Sequence, residues 1–166
     1  LWNYLMLKNL SHTKKKLNLF IPYAFIILIF IQIIIGAFVS GMDAGKIYNS
    51  WPLMGTSYFP DDNQLINLFS FKAFNDASLV QFIHRNLAYV ILGFYLVIFI
   101  MIYKQKISIL FNIIRIIGVL LLIQIFLGIF TLLNGAQIIL ASMHQISSIF
   151  LVSSSIFFLY LNNKSS

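Results

Sequence analysis

Apolar residues fall in four long blocks along this chain, and the polar residues lie between the blocks rather than within them. The first block runs from about Phe20 to Gly41, the second from Ser78 to Tyr103, the third from Ser108 to Leu133 and the fourth from Ile138 to Leu161. Each is long enough for a helix to cross the hydrocarbon of a bilayer, which takes roughly 20 residues. Backbone inside lipid has no water to bond, so such a block must satisfy its own peptide groups as a helix. The pattern predicts an all-α fold, a polytopic membrane four-helix bundle over residues 20–161. A basic juxtamembrane segment precedes it at 1–19, one long loop interrupts it at 42–77, and a short tail follows at 162–166.

Local signals mark the ends of the blocks. Pro22 sits in the opening turn of the first, where its missing N–H costs nothing. Asn75, Asp76 and Ser78 offer capping side chains for the second. Lys104 and Lys106 form a short basic turn, and Asn134-Gly135-Ala136-Gln137 a tight uncharged hairpin. Arg115, near the start of the third block, is close enough to the boundary for its guanidinium to snorkel to headgroups. Four spans leave both termini on one side. Lys14, Lys15, Lys16, Lys104, Lys106 and Lys164 flank that side, whereas all four acidic residues, Asp43, Asp61, Asp62 and Asp76, lie in the long loop. The positive-inside rule then predicts the N and C termini inside and the loop outside.

Composition narrows the class further. Only 9% of residues are charged, against about 25% in soluble domains, so a soluble globular domain is excluded. The net charge of +7 sits at the ends of apolar blocks and forms no basic stripe with interleaved aromatics, which excludes nucleic acid as a partner. The chain has no cysteine, so disulfides, thiolate zinc sites, thiol catalysis and covalent c-type haem attachment are excluded. It begins at Leu1 with no signal-peptide pattern, and is expected to be a truncated or split chain.

Two histidines lie within the spans. His84 is about six residues into the second block and His144 about six into the fourth, on helices running the same way, which places both roughly 9 Å below the outer boundary. Ionisable side chains in a span are costly and usually face the bundle interior in a functional role. A neutral imidazole nitrogen is a metal ligand, and two at one level suit axial ligation of haem iron. A bare zinc or copper ion would want further ligands that this depth does not supply. The alternative is that each histidine bonds a neighbouring helix through Gln81, Gln145, Ser142 or Ser147. Arg85 would lie near the outer interface, either paired to a haem propionate or snorkelling. Gly36, Gly93, Gly118 and Gly128 permit close approach to a neighbouring helix or a porphyrin. His12 reads as a surface residue.

A weak internal repeat joins these features. Gln32-Ile33-Ile34-Ile35-Gly36-Ala37-Phe38 in the first block echoes Gln124-Ile125-Phe126-Leu127-Gly128-Ile129-Phe130 in the third, and each precedes a histidine-bearing helix. This suggests two pseudo-symmetric helical hairpins related by an axis along the membrane normal.

Three segments resemble the haem A synthase family. They are the loop from Gly41 to Gly55 (GMDAGKIYNSWPLMG), Val80-Gln81-Phe82-Ile83-His84-Arg85 with Ala88-Tyr89, and Gly128–Leu133 leading to Ala141-Ser142-Met143-His144-Gln145. The similarity covers about residues 20–160, in order. Family members have eight spans in two four-helix halves, each with a histidine pair, and this chain is similar to the second, C-terminal half. The resemblance implies that His84 and His144 ligate a resident haem b, with Arg85 beside it, and that the activity is oxidation of the haem O methyl to the formyl of haem A by successive hydroxylation with loss of water. The first half, which is thought to hold haem O, carries a glutamate three residues before its first histidine; here that spacing gives Gln81, so no catalytic residue is expected in this half. The implied partners are the N-terminal half, haem O, and haem O synthase or oxidase subunits, in the bacterial cytoplasmic or mitochondrial inner membrane. A non-enzymatic bis-histidine b-type cytochrome and an inactive fragment stay open as alternatives.

Overall fold

The computed structural model describes residues 15–164; His12 and Lys14, read above as part of the basic segment, lie outside them. Four long helices follow one another: α1 (Phe20–Gly41), α2 (Ala77–Gln105), α3 (Phe111–Leu133) and α4 (Ile138–Lys164). All four are long and apolar enough to cross a membrane, and the chain is a multi-pass membrane protein. A 3-10 turn at Ser108–Leu110 leads into α3.

The ends of the helices have local causes. Asp76 caps α2, its side chain accepting from the backbone N–H of Leu79 at 3.0 Å. Lys106 takes a left-handed conformation with φ 56° and stops α2 two residues beyond the expected Tyr103. Gly135 and Ala136, with φ of 65° and 56°, turn the chain from α3 into α4. Helix α4 runs past Leu161 into the expected tail because Asn162 is fully buried there. Its side chain accepts from Leu17 N–H at 2.9 Å and donates to Leu17 C=O at 3.1 Å, which ties the segment before α1 to the end of α4. Arg115, expected to snorkel, bonds the Tyr103 hydroxyl at 2.6 Å.

Packing is tightest within the hairpins α3–α4 and α1–α2; α1 also packs on α4, and α2 more lightly on α3. The helices thus follow one another around a ring, with α2 and α4 on one diagonal. The apolar core fills the half of the bundle near the termini. Phe25 and Ile29 meet Ile91, Ile98 and Ile102 there, along with Ile114, Ile117, Leu121, Leu151 and Phe158. It stops at Ile29, Ile91, Leu121 and Leu151. Beyond it, toward the loop, α4 has no buried residue before Leu151 and α2 has none between Gln81 and Ile91. His84 and His144 both lie in this less tightly filled half.

Candidate functional site

Each hairpin builds the same local arrangement. In the first, Gly36 on α1 faces the imidazole of His84 on α2, and a β-carbon at Gly36 would stand 3.1 Å from the ring's Cε1. One helical turn before that glycine, Gln32 donates from its amide nitrogen to the backbone carbonyl of His84 at 3.1 Å. In the second, Gly128 on α3 faces His144 on α4 with the corresponding distance 3.3 Å, and Gln124 donates to the backbone carbonyl of His144 at 3.2 Å. The glycine and glutamine are four residues apart in both, so they share one helix face. The repeat seen along the sequence is therefore a repeat of side-chain contacts in the fold. The glycine leaves room for the ring and the glutamine fixes the height of the helix that carries it.

His84 and His144 sit on the diagonal helices α2 and α4, in the same half of the bundle. The Nδ1 of each ring is buried with no hydrogen-bond partner. Buried polar atoms in native structures normally have a partner, so a matched pair of orphans calls for an explanation. Among the described residues no group of three or more His, Cys, Asp or Glu side chains could hold a bare metal ion. Of the neighbours considered as helix-bridging partners, Gln81 donates to the carbonyl of Tyr48 at 3.1 Å, and Ser147 donates to the backbone carbonyl of His144 at 3.0 Å rather than to its ring. The copies also differ. The Gln32 nitrogen lies 3.3 Å from His84 Nε2, whereas the second donor of Gln124 meets the hydroxyl of Ser147.

The guanidinium of Arg85, expected beside a propionate or snorkelling, is turned toward the long loop. It donates to the carbonyls of Tyr48 and Ser50, each at 2.9 Å, and of Leu53 at 3.3 Å, while its Nε is buried without a partner. A rigid planar fork presents donors from separate nitrogens to carbonyls on different residues, whereas an ammonium offers all its donors from one atom. Trp51 adds a bond to the Tyr89 hydroxyl at 2.9 Å, and Asn49 reaches across to the carbonyl of Leu132 at 2.8 Å. The loop is thereby strapped to α2 on one side and to the end of α3 on the other, over the histidine half of the bundle.

The loop's carboxylates brace it internally. Asp61 accepts from the Ser57 hydroxyl and from the backbone and hydroxyl of Thr56, and these bonds hold its carboxyl below the usual carboxylate range. Burial alone would raise Asp62, but bonds from Ser78, Tyr48 and Asn63 outweigh it and leave it lowered as well. Tyr48 is raised, first by burial and then by its bond to Asp62.

Residues 1–156 match the family described as cytochrome oxidase assembly protein, COX15-CtaA. The chain belongs to that family. Similar proteins include the heme A synthase of Pelagibacter ubique, 42% identical over 156 residues that make up 92% of this chain and 46% of the relative. The heme A synthase of Rickettsia bellii is 42% identical across 86% of this chain and 42% of its own length, and that of Rickettsia prowazekii 37% identical across 96% and 49%. The chain spans about half the length of the curated relatives it matches. No solved structure matches it.

Gln32 and Gln124 are the residues that sequence reasoning passed over. Both open the repeated heptapeptides, and that shared position was the available signal. What each one bonds could not be read, because Gln32 and His84 are 52 residues apart and Gln124 and His144 are 20 apart.

Proposed function

We propose that this chain is the haem b-binding, C-terminal half of a haem A synthase, in which His84 and His144 would together hold the iron of one haem. The observation that carries the reading is the duplicated arrangement in which a glycine leaves room for an imidazole and a glutamine four residues before it bonds the backbone carbonyl of that histidine. The residues fit a metalloporphyrin on three counts. Imidazole is a haem ligand, two such ligands complete a coordination sphere to which the porphyrin gives four nitrogens, and the glycines keep β-carbons away from both rings. When bound, haem supplies a one-electron couple.

The chain's own residues hold and enclose. Gln32 and Gln124 fix the backbone of each ligand-bearing helix, and the strapped loop keeps water from the outer end of the site. Arg85 retains one unpartnered donor, Nε, for a propionate. Gln81 has no titratable proton, so proton transfer in the oxidation of the haem O methyl to a formyl falls to the other half of the longer protein. The termini face inside and the loop outside, in the bacterial cytoplasmic or mitochondrial inner membrane, where the loop is free to meet haem O synthase or an oxidase subunit. No step is assigned to a catalytic residue of this half.

The test has two parts. The purified chain should show a low-spin bis-histidine spectrum by optical absorption and electron paramagnetic resonance, lost in His84→Ala and in His144→Ala. Spectra unchanged in both variants would remove the pair as ligands. Co-expressed with the N-terminal half, the chain should convert haem O to haem A. A haem that is reduced and reoxidised with no conversion would make the protein an electron carrier, the rival that Gln81 favours.

A further inference from the structure

We propose that Gln32 presets the ligating tautomer of His84, holding the lone pair on Nε2 and the proton on Nδ1, and that His144 has no such device. The proposal takes its purpose from the haem-binding reading, but its first test does not depend on haem.

The argument starts from a group that cannot change roles. The backbone carbonyl of His84 only accepts, so the Gln32 atom facing it at 3.1 Å must be the amide nitrogen, and the usual ambiguity between the two ends of a carboxamide is removed. That nitrogen carries two hydrogens. One goes to the carbonyl, and the other faces His84 Nε2 at 3.3 Å. A donor there requires Nε2 to be the acceptor, which in a neutral imidazole puts the ring proton on Nδ1. Nothing competes from the other side, since Nδ1 is buried with no partner, so the preference rests on Gln32 alone.

The consequence lies in what a metal ligand must offer. A ring nitrogen binds through its lone pair, and the partner of the ring fixes which nitrogen has it. With Nε2 already stripped of its proton, ligation requires only that Gln32 release one weak hydrogen bond. Its bond to the carbonyl can stay, which keeps the side chain beside the ring and the helix at its height. In the second hairpin the same carbonyl bond exists at 3.2 Å, but the second hydrogen of Gln124 is taken by the Ser147 hydroxyl. The pseudo-symmetry thus holds for the backbone and breaks at the ring. His84 is Gln32's to set and His144 is free.

The full chain, purified haem-free in lipid nanodiscs with 15N-labelled histidine, gives a direct reading, because protonated and bare ring nitrogens differ widely in chemical shift. Signals are assigned with His12→Gln and His144→Ala. The expected result is a bare Nε2 and protonated Nδ1 at His84, with mixed tautomers at His144. Gln32→Leu should turn His84 into a mixture of tautomers and leave His144 unchanged. Gln124→Leu should leave the His84 ring as in the wild type. A wild-type His84 protonated on Nε2, or a Gln32→Leu ring that keeps the wild-type tautomer, overturns the proposal. If Gln32→Leu fails to fold, the wild-type shifts alone decide. A preset His84 in a chain that binds no hemin would support the tautomer assignment and sink the haem reading, so the two can fail separately.

Discussion

Gly36 stands against the imidazole of His84 so closely that a β-carbon there would lie 3.1 Å from Cε1, tighter than ordinary packing, and Gly128 repeats the relation with His144 at 3.3 Å. Alanine is the better helix former by about 1 kcal/mol, so Gly36→Ala should not weaken the bundle. It should instead displace the ring by a few tenths of an ångström. We expect an unchanged or slightly raised thermal midpoint for the haem-free protein together with weaker hemin binding. Gly36→Leu should bind no hemin. A leucine variant that titrates like the wild type would show that the glycine does not guard the site.

Arg85 serves three carbonyls of the loop through two of its nitrogens. Removing a charged donor strands the carbonyls it served, at a cost of about 1.5–3 kcal/mol for a charged hydrogen bond. Arg85→Met should therefore increase amide exchange across residues 48–55 by roughly tenfold or more, since 1.4 kcal/mol is a factor of ten. Arg85→Lys should restore only part of the protection. Exchange rates indistinguishable from the wild type in both variants would mean that the loop is held by its other bonds.

Asn162 pairs with both backbone groups of Leu17, in a place where neither residue is exposed. Asn162→Leu leaves a buried N–H and a buried C=O unsatisfied, and should cost about 2 kcal/mol. The readout is a lowered thermal midpoint in nanodiscs, with faster proteolysis before Phe20. A midpoint equal to that of the wild type would count against the clasp.

The loop should also respond to acid. The Asp61 carboxyl is lowered by the donors around it, so the folded loop binds the ionised form better than the unfolded loop does. Its contribution is then fully present above the ordinary carboxylate pKa, about 4, and is lost as pH falls through the lower folded value. Limited proteolysis of residues 50–64 should accelerate below about pH 4 in the wild type. In Asp61→Asn the same rate should already be raised at neutral pH and rise less on acidification than in the wild type, Asp62 remaining to respond. A wild-type loop equally resistant at pH 3 and pH 7 would contradict this.

Much of the architecture follows from the chain alone. Blocks of apolar residues long enough to span a bilayer must be helices, because lipid offers no other partner for the backbone. Asp76 caps α2 through a contact three residues away, which any reader of local signals can place. The two histidines and the repeated Gln-to-Phe heptapeptides were visible for the same reason, since spacing along a helix is a local property.

The long-range pairings were not visible. That Gln32 meets His84, that Arg85 turns into the loop, and that Asn162 closes on Leu17 145 residues away depend on how helices rotate and slide against one another. Periodicity fixes which face of a helix is apolar, but these helices are apolar on nearly every face, so it says little about which face meets which neighbour. Polar side chains inside such a bundle select the register, because each must find a partner that is not water. The sequence thus determined the number of spans and the identity of the candidate ligands. The tertiary structure alone decided which residues hold them.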